Sequence, residues 1–87
     1  GSLGDNRFRR INDFILENLD QDISLADLAK VAGISLHHFS VAFKKSTGVP
    51  PHRYLIGRRV HRAKELLLHS DQSIADIAYA VGFSSQS

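Results

Sequence analysis

Shifted by 49 residues against itself, the chain lays SLADLAKVAGISLHH (24–38) over SIADIAYAVGFSSQS (73–87), and six of the fifteen aligned positions are identical. The identities are Ser24 with Ser73, Ala26 with Ala75, Asp27 with Asp76, Ala29 with Ala78, Gly33 with Gly82 and Ser35 with Ser84. They fall on cap residues, small packing residues and one glycine, which are the positions that start, pack and end a short helix. Leu25, Leu28 and Ile34 face Ile74, Ile77 and Phe83 across the repeat, so the apolar pattern is preserved as well. Two copies of one helix-turn-helix unit follow from this arrangement.

The rest of the chain reads as helix, with no strand candidate. From 7 to 19, apolar residues at Phe8, Ile11, Phe14, Ile15 and Leu19 recur every three or four positions and line one face. Ser24 and Asp27 form a capping-box pattern ahead of a helix over 25–32, which Gly33 ends. Ser35 caps the next helix, predicted over 36–46 and stopped at Gly48. Pro51 suits the first position of a longer helix to 68, with Ile56, Val60, Ala63 and Leu67 as its expected inner stripe and Gly57 marking a close approach by a neighbour. The first five residues carry no pattern and read as a remnant of cloning, outside the fold.

Eighty-seven residues give a single small domain, and the absence of cysteine removes disulfides, thiolate nucleophiles and cysteine-based metal sites. No apolar run is long enough for a membrane span and no secretory signal is present, so the expected setting is cytoplasmic, without a membrane partner. The net charge of +2 conceals a strong segregation. Residues 30–64 carry eight basic groups and no acidic one, whereas 1–29 and 65–87 each sum to −3. An acid-free stretch of this kind is the footprint of a surface for a polyanion.

The helix over 36–46 has two faces. At about 100° per residue, His37, Ser40, Val41 and Lys44 cluster on one side, with Leu36, Phe39, Ala42, Phe43 and Ser46 opposite as the core side. The first set combines an imidazole and a hydroxyl for base edges, a branched apolar group for a thymine methyl and a cation for phosphate. Ser35, at the helix start, stands beside free N–H groups that can take a phosphate oxygen, and Ser84 holds the same place in the second copy. Competing chemistry is weaker. The five histidines lack a ligand set with metal spacing, the repeated serines are caps rather than nucleophiles, and Glu65 with Arg62 reads as a surface pair, so neither an enzyme nor a metal or cofactor site is expected. The alternative from another class is a helical protein-interaction module whose basic surface holds an acidic partner. Against it, all five phenylalanines fall at positions expected to be buried.

The segment HHFSVAFKKSTGVPPHRYL, the repeat copy SIADIAYAVGFSSQS and the spacing of Arg59, Ala63, Leu66 and Leu67 between them resemble the DNA-binding domain of the AraC/XylS family of bacterial transcription regulators, over nearly the whole chain from residue 7. The resemblance implies an all-α fold of two homeodomain-like helix-turn-helix subdomains, at 6–48 and from 70 to 87, joined by one long linker helix at 49–69. It implies sequence-specific binding to double-stranded DNA across two successive major grooves, in the service of transcription regulation. Carried over position by position, it makes His37, Ser40 and Val41 base contacts, adds Gln86 from the second unit, and puts Lys44 and Lys45 in the family's phosphate-side segment. It further implies RNA polymerase as a partner through the parent protein, and an effector-binding or dimerisation domain outside this stretch. Three departures stand out. Val41 replaces an arginine common in the family, Pro50 replaces a small hydroxyl residue, and the chain stops three residues after Ser84. With the remainder of the second recognition helix missing, Ile77, Val81 and Phe83 are expected to be partly exposed.

Overall fold

The computed structural model describes residues 3–83, arranged as five helices with no strand among them. They are α1 (Asp5–Glu17), α2 (Leu25–Ala32), α3 (Leu36–Thr47), α4 (Pro51–His69) and α5 (Ile74–Ala80). The serine and glycine punctuation sets most of the boundaries. Ser24 Oγ accepts the Asp27 N–H at 3.0 Å while the Asp27 carboxylate accepts the Ser24 N–H at 3.1 Å, a complete capping box. Ser35 and Ser73 cap α3 and α5 through the N–H groups of His38 and Asp76. Gly33 closes α2 in the left-handed region, at φ 75°, and Gly48 closes α3 at φ 82°.

The core lies where α1, α2 and α3 meet the first half of α4. Ile11 and Ile15 of α1, Leu28, Ala29 and Ala32 of α2, Phe39, Ala42 and Phe43 of α3 and Leu55 of α4 are all buried there. Phe43 sits at the centre of an aromatic group, with Phe39 at 5.5 Å, Tyr54 at 5.2 Å and Phe8 at 6.1 Å between ring centroids. Tilted and edge-on packing of this kind adds to the burial of each ring. The Tyr54 hydroxyl donates to Asn12 Oδ1 at 2.8 Å, tying α4 to α1.

Five expectations need correction. No neighbour approaches Gly57 closely, since a β-carbon built there meets nothing within 4 Å. Leu3 to Asp5 belong to the fold. Leu3 is buried in the core and its N–H donates to Ser46 Oγ at 2.9 Å, while Asp5 opens α1 at its positive end. Gly4, at φ 83°, turns the chain back so that Leu3 reaches the core. The stripe expected to face inward on α4 does not, because Ile56, Val60 and Leu67 are exposed and α4 buries Pro51, Leu55 and Arg59 instead. These two stripes have related spacing and lie about a quarter turn apart, and the arginine disguises the inner one as a polar face. Leu36 and Ser46, assigned to the core side of α3, are both exposed, Leu36 at 48%, because they stand near the two ends of the helix. Ile77 and Val81, by contrast, are buried and only Phe83 is partly open. They pack at the junction of α5 and α4, and the exposed apolar residues at this end are Leu67, Leu68, Ile74 and Tyr79.

Candidate nucleic-acid interface

The apolar side of α3 fixes how its other side is presented. Phe39, Ala42 and Phe43, none more than 1% exposed, press the helix onto α1, α2 and α4. On the opposite side His37, Val41, Lys44 and Lys45 are exposed and Ser40 is half-buried at the edge. Leu36 is exposed as well, at the first turn, but on the side of Phe39 and Phe43 rather than beside His37 and Val41.

The α2–α3 corner sets the angle at which this face emerges. The N–H of Gly33 bonds back to the last turn of α2, and the N–H of Ile34 donates to the Ala29 carbonyl at 3.2 Å. The chain therefore reverses tightly before Ser35 restarts it. The first turn of α3 holds no acid, and Lys44 and Lys45 occupy its last turn, where a cation also complements the negative end of the helix. Among the described residues the one ion pair is Arg62 with Glu65, at 3.5 Å on exposed α4, so neither lysine is neutralised by a carboxylate.

The basic segment of 30–64 is reduced by one on folding. Arg59 is fully buried and points away from any external anion, while Arg53, His52 and Lys64 remain exposed. Arg58 is half-buried, with its Nε lacking a partner among the described residues. Pro50 offers no side-chain cap to α4, and only its carbonyl serves the helix start, accepting the Tyr54 N–H at 3.1 Å. Ser84 and Gln86, the two expected contacts of the second unit, lie outside the described residues.

A family profile described as a helix-turn-helix domain matches residues 28–87. Among solved structures, an AraC-type DNA-binding domain-containing regulator from Chromobacterium violaceum superposes with a TM-score of 0.82 at 27% identity, covering 88% of this chain and 69% of that one. The DNA-binding domain of AdpA, a global transcriptional factor solved in complex with a target DNA, gives a TM-score of 0.83 at 32% identity, covering 92% of this chain and 71% of that one. The chain belongs to the AraC family of helix-turn-helix transcription regulators. A curated relative, the probable transcriptional regulator LumQ of Photobacterium leiognathi, is 35% identical over 77 residues, which is 88% of this chain and 31% of LumQ. This AraC-type chain thus spans about a third of the length of that curated relative.

In AraC-type terms, α2 and α3 are the first helix-turn-helix, α4 is the linker helix, and α5 with the Gly82 turn begins the second. The linker face toward the core is built on Leu55 and Arg59 rather than on the apolar stripe. Among the described residues, no cluster of three or more metal-ligating side chains occurs and no helix is long and apolar enough to cross a membrane.

Proposed function

We propose that this AraC-type domain binds double-stranded DNA in a sequence-specific manner, with α3 lying in the major groove. The observation that carries the proposal is the exposed side of α3, where His37, Ser40, Val41 and Lys44 stand together with no acid on the helix. A major groove is wide enough to admit such a helix, and these side chains supply each kind of contact it offers. His37 and Ser40 hydrogen-bond base edges, and Val41 packs against a thymine methyl. Lys44 and Lys45 hold phosphates. The Ser35 hydroxyl, whose oxygen accepts the His38 N–H at 3.2 Å, keeps its proton to donate to a phosphate oxygen beside the positive end of the helix. That the AdpA domain was solved on its target DNA supports the same use of the fold here.

The parent protein acts in this reading as a transcription regulator in the bacterial cytoplasm. Its partners are RNA polymerase and an effector-binding or dimerisation domain of its own, and Ser84 and Gln86 give the second unit's phosphate and base contacts. The test is a titration of duplex DNA at a series of salt concentrations. Four to six phosphate contacts give a log-log slope of roughly −3 to −6. A flat response would favour the protein-interaction reading and defeat this one.

A further inference from the structure

We infer that Arg59 is the positioning residue that locks the second helix-turn-helix unit onto the first, with one buried guanidinium spanning the α1–α2 connection and the end of α5. Its Nη1 donates to the carbonyl oxygen of Leu19 and, at 2.6 Å, to that of Val81, while Nη2 donates to the Gln21 carbonyl at 3.0 Å. Leu19 and Gln21 belong to the first unit and Val81 to the second, so a side chain of the linker helix joins both.

A fully buried cation is costly to desolvate, and in a domain of this size it persists only where the surroundings replace water. Here the replacement is backbone at both terminal nitrogens, while Nε is buried without a hydrogen-bond partner among the described residues. Leu19 lies just past the end of α1 and Val81 is the residue that closes α5, so two negative helix ends converge on the guanidinium. Burial lowers the Arg59 pKa, and the charge of Asp22 opposes that shift. A planar fork with several fixed donors can bridge three separated carbonyls, whereas a lysine ammonium cannot reproduce that geometry.

The repeat supplies a second, independent sign. Gly33 and Gly82 occupy the same place in the two copies and both have positive φ, at 75° and 89°. A β-carbon at Gly33 would meet open space, but at Gly82 it would collide with the Arg59 guanidinium and the Leu19 carbonyl. The second glycine thus allows a close approach as well as a turn. This asymmetry sits where the second unit meets the first, and nowhere else in the aligned pair of turns.

The consequence for DNA rests on the proposed function: if α3 reads one groove, Arg59 sets where the second unit is held relative to it. The chain has no cysteine, so spin labels can be placed in pairs without removing native thiols. Label pairs at Lys30→Cys with Ile74→Cys, spanning the two units, and at Asp13→Cys with Lys30→Cys, within the first, would be measured by pulsed electron paramagnetic resonance. With Arg59 present, both pairs should give one narrow distance. Arg59→Gln and Arg59→Lys should each at least double the width for the spanning pair and leave the other unchanged. A broad spanning distance with Arg59 present, or an unchanged one in either folded variant, would overturn the inference. Loss of the whole fold in both variants would also overturn it, since Arg59 would then serve the first unit's own core. In duplex titrations, Arg59→Gln should keep the original salt slope, and a slope shallower by about 0.9 would make Arg59 a phosphate contact instead. Absence of DNA binding in the unsubstituted chain would remove the DNA reading alone, leaving the distance result to stand or fall by itself.

Discussion

The guanidinium of Arg59 fills the space that a side chain at Gly82 would need: a β-carbon built there overlaps Nη1 of Arg59 and the carbonyl oxygen of Leu19. The equivalent atom at Gly33 meets nothing within 4 Å. Both glycines carry positive φ, so alanine at either suffers the left-handed penalty of roughly 1–2 kcal/mol. Only at Gly82 is a steric clash added. Gly33→Ala should therefore cost about that penalty in urea unfolding, and Gly82→Ala more than about 3 kcal/mol. Equal costs for the two would mean that the turn at Gly82 relaxes freely and that the guanidinium is not held in place.

Leu3 is 4% exposed, although it precedes the first helix. Truncating a buried leucine to alanine typically costs about 2–5 kcal/mol, and a residue held outside any helix can relax toward the lower end of that range. Leu3→Ala should destabilise by about 2 kcal/mol, whereas Leu68→Ala, at a position 78% exposed, should change stability by less than about 0.5 kcal/mol. Thermal unfolding of the two variants side by side makes the comparison.

The capping box of α2 gives folding stability a pH dependence of known sign. The Ser24 backbone N–H, and then its hydroxyl, hold the Asp27 carboxyl below its usual pKa, with Lys30 assisting and desolvation opposing. A depressed pKa in the folded state contributes stability that is present above the unfolded value, near pH 4, and is lost as pH falls through the folded one. Asp27→Asn should therefore lower stability at pH 7 and show a smaller loss on acidification than the native chain. Ser24→Ala should cost about 1 kcal/mol at pH 7, as removal of an N-cap does elsewhere. Urea midpoints measured from pH 7 down to pH 2 would settle both signs.

On α3 the two kinds of contact should separate. His37→Ala, which removes the proposed base-edge contact, should relax the preference among duplexes by about 1–3 kcal/mol per affected base pair. Lys44→Ala should weaken all duplexes alike and make the salt slope shallower by about 0.9. Selection of bound sites from random duplexes, followed by salt titration of each variant, distinguishes these effects. If both variants lost affinity with preference intact, the side chains of α3 would be serving phosphates alone.

Where the chain places a hydroxyl before a helix and a glycine after it, the boundaries were legible. α2 begins after Ser24 and ends before Gly33 as predicted, and α3 runs one residue past its expected end. The start of α1 was harder to see, because Gly4 and Asp5 provide no side-chain cap. The inner side of α4 was misread for a different reason: hydropathy treats arginine as outward-facing, and only the tertiary structure reveals three backbone carbonyls awaiting one. On the candidate site, helical periodicity puts His37, Val41 and Lys44 outward as found, but it cannot register that Leu36 and Ser46, near the two ends of the core side, are open. The buried state of Ile77 and Val81 was not legible either, since it comes from a junction with α4 that no local pattern encodes.

The aromatic anchoring of α3 separates two kinds of inheritance within a single helix. Phe39 and Phe43 determine whether the helix is held, Phe43 through ring contacts with Phe8 and Tyr54 and Phe39 through Phe43, and none of the outward residues takes part in those contacts. Exchanges at His37, Ser40 and Val41 therefore meet little resistance from folding. With α3 reading bases as proposed, a lineage carrying this framework can drift to new operators by successive replacements on one surface, each viable by itself, without first acquiring a compensating change in the core.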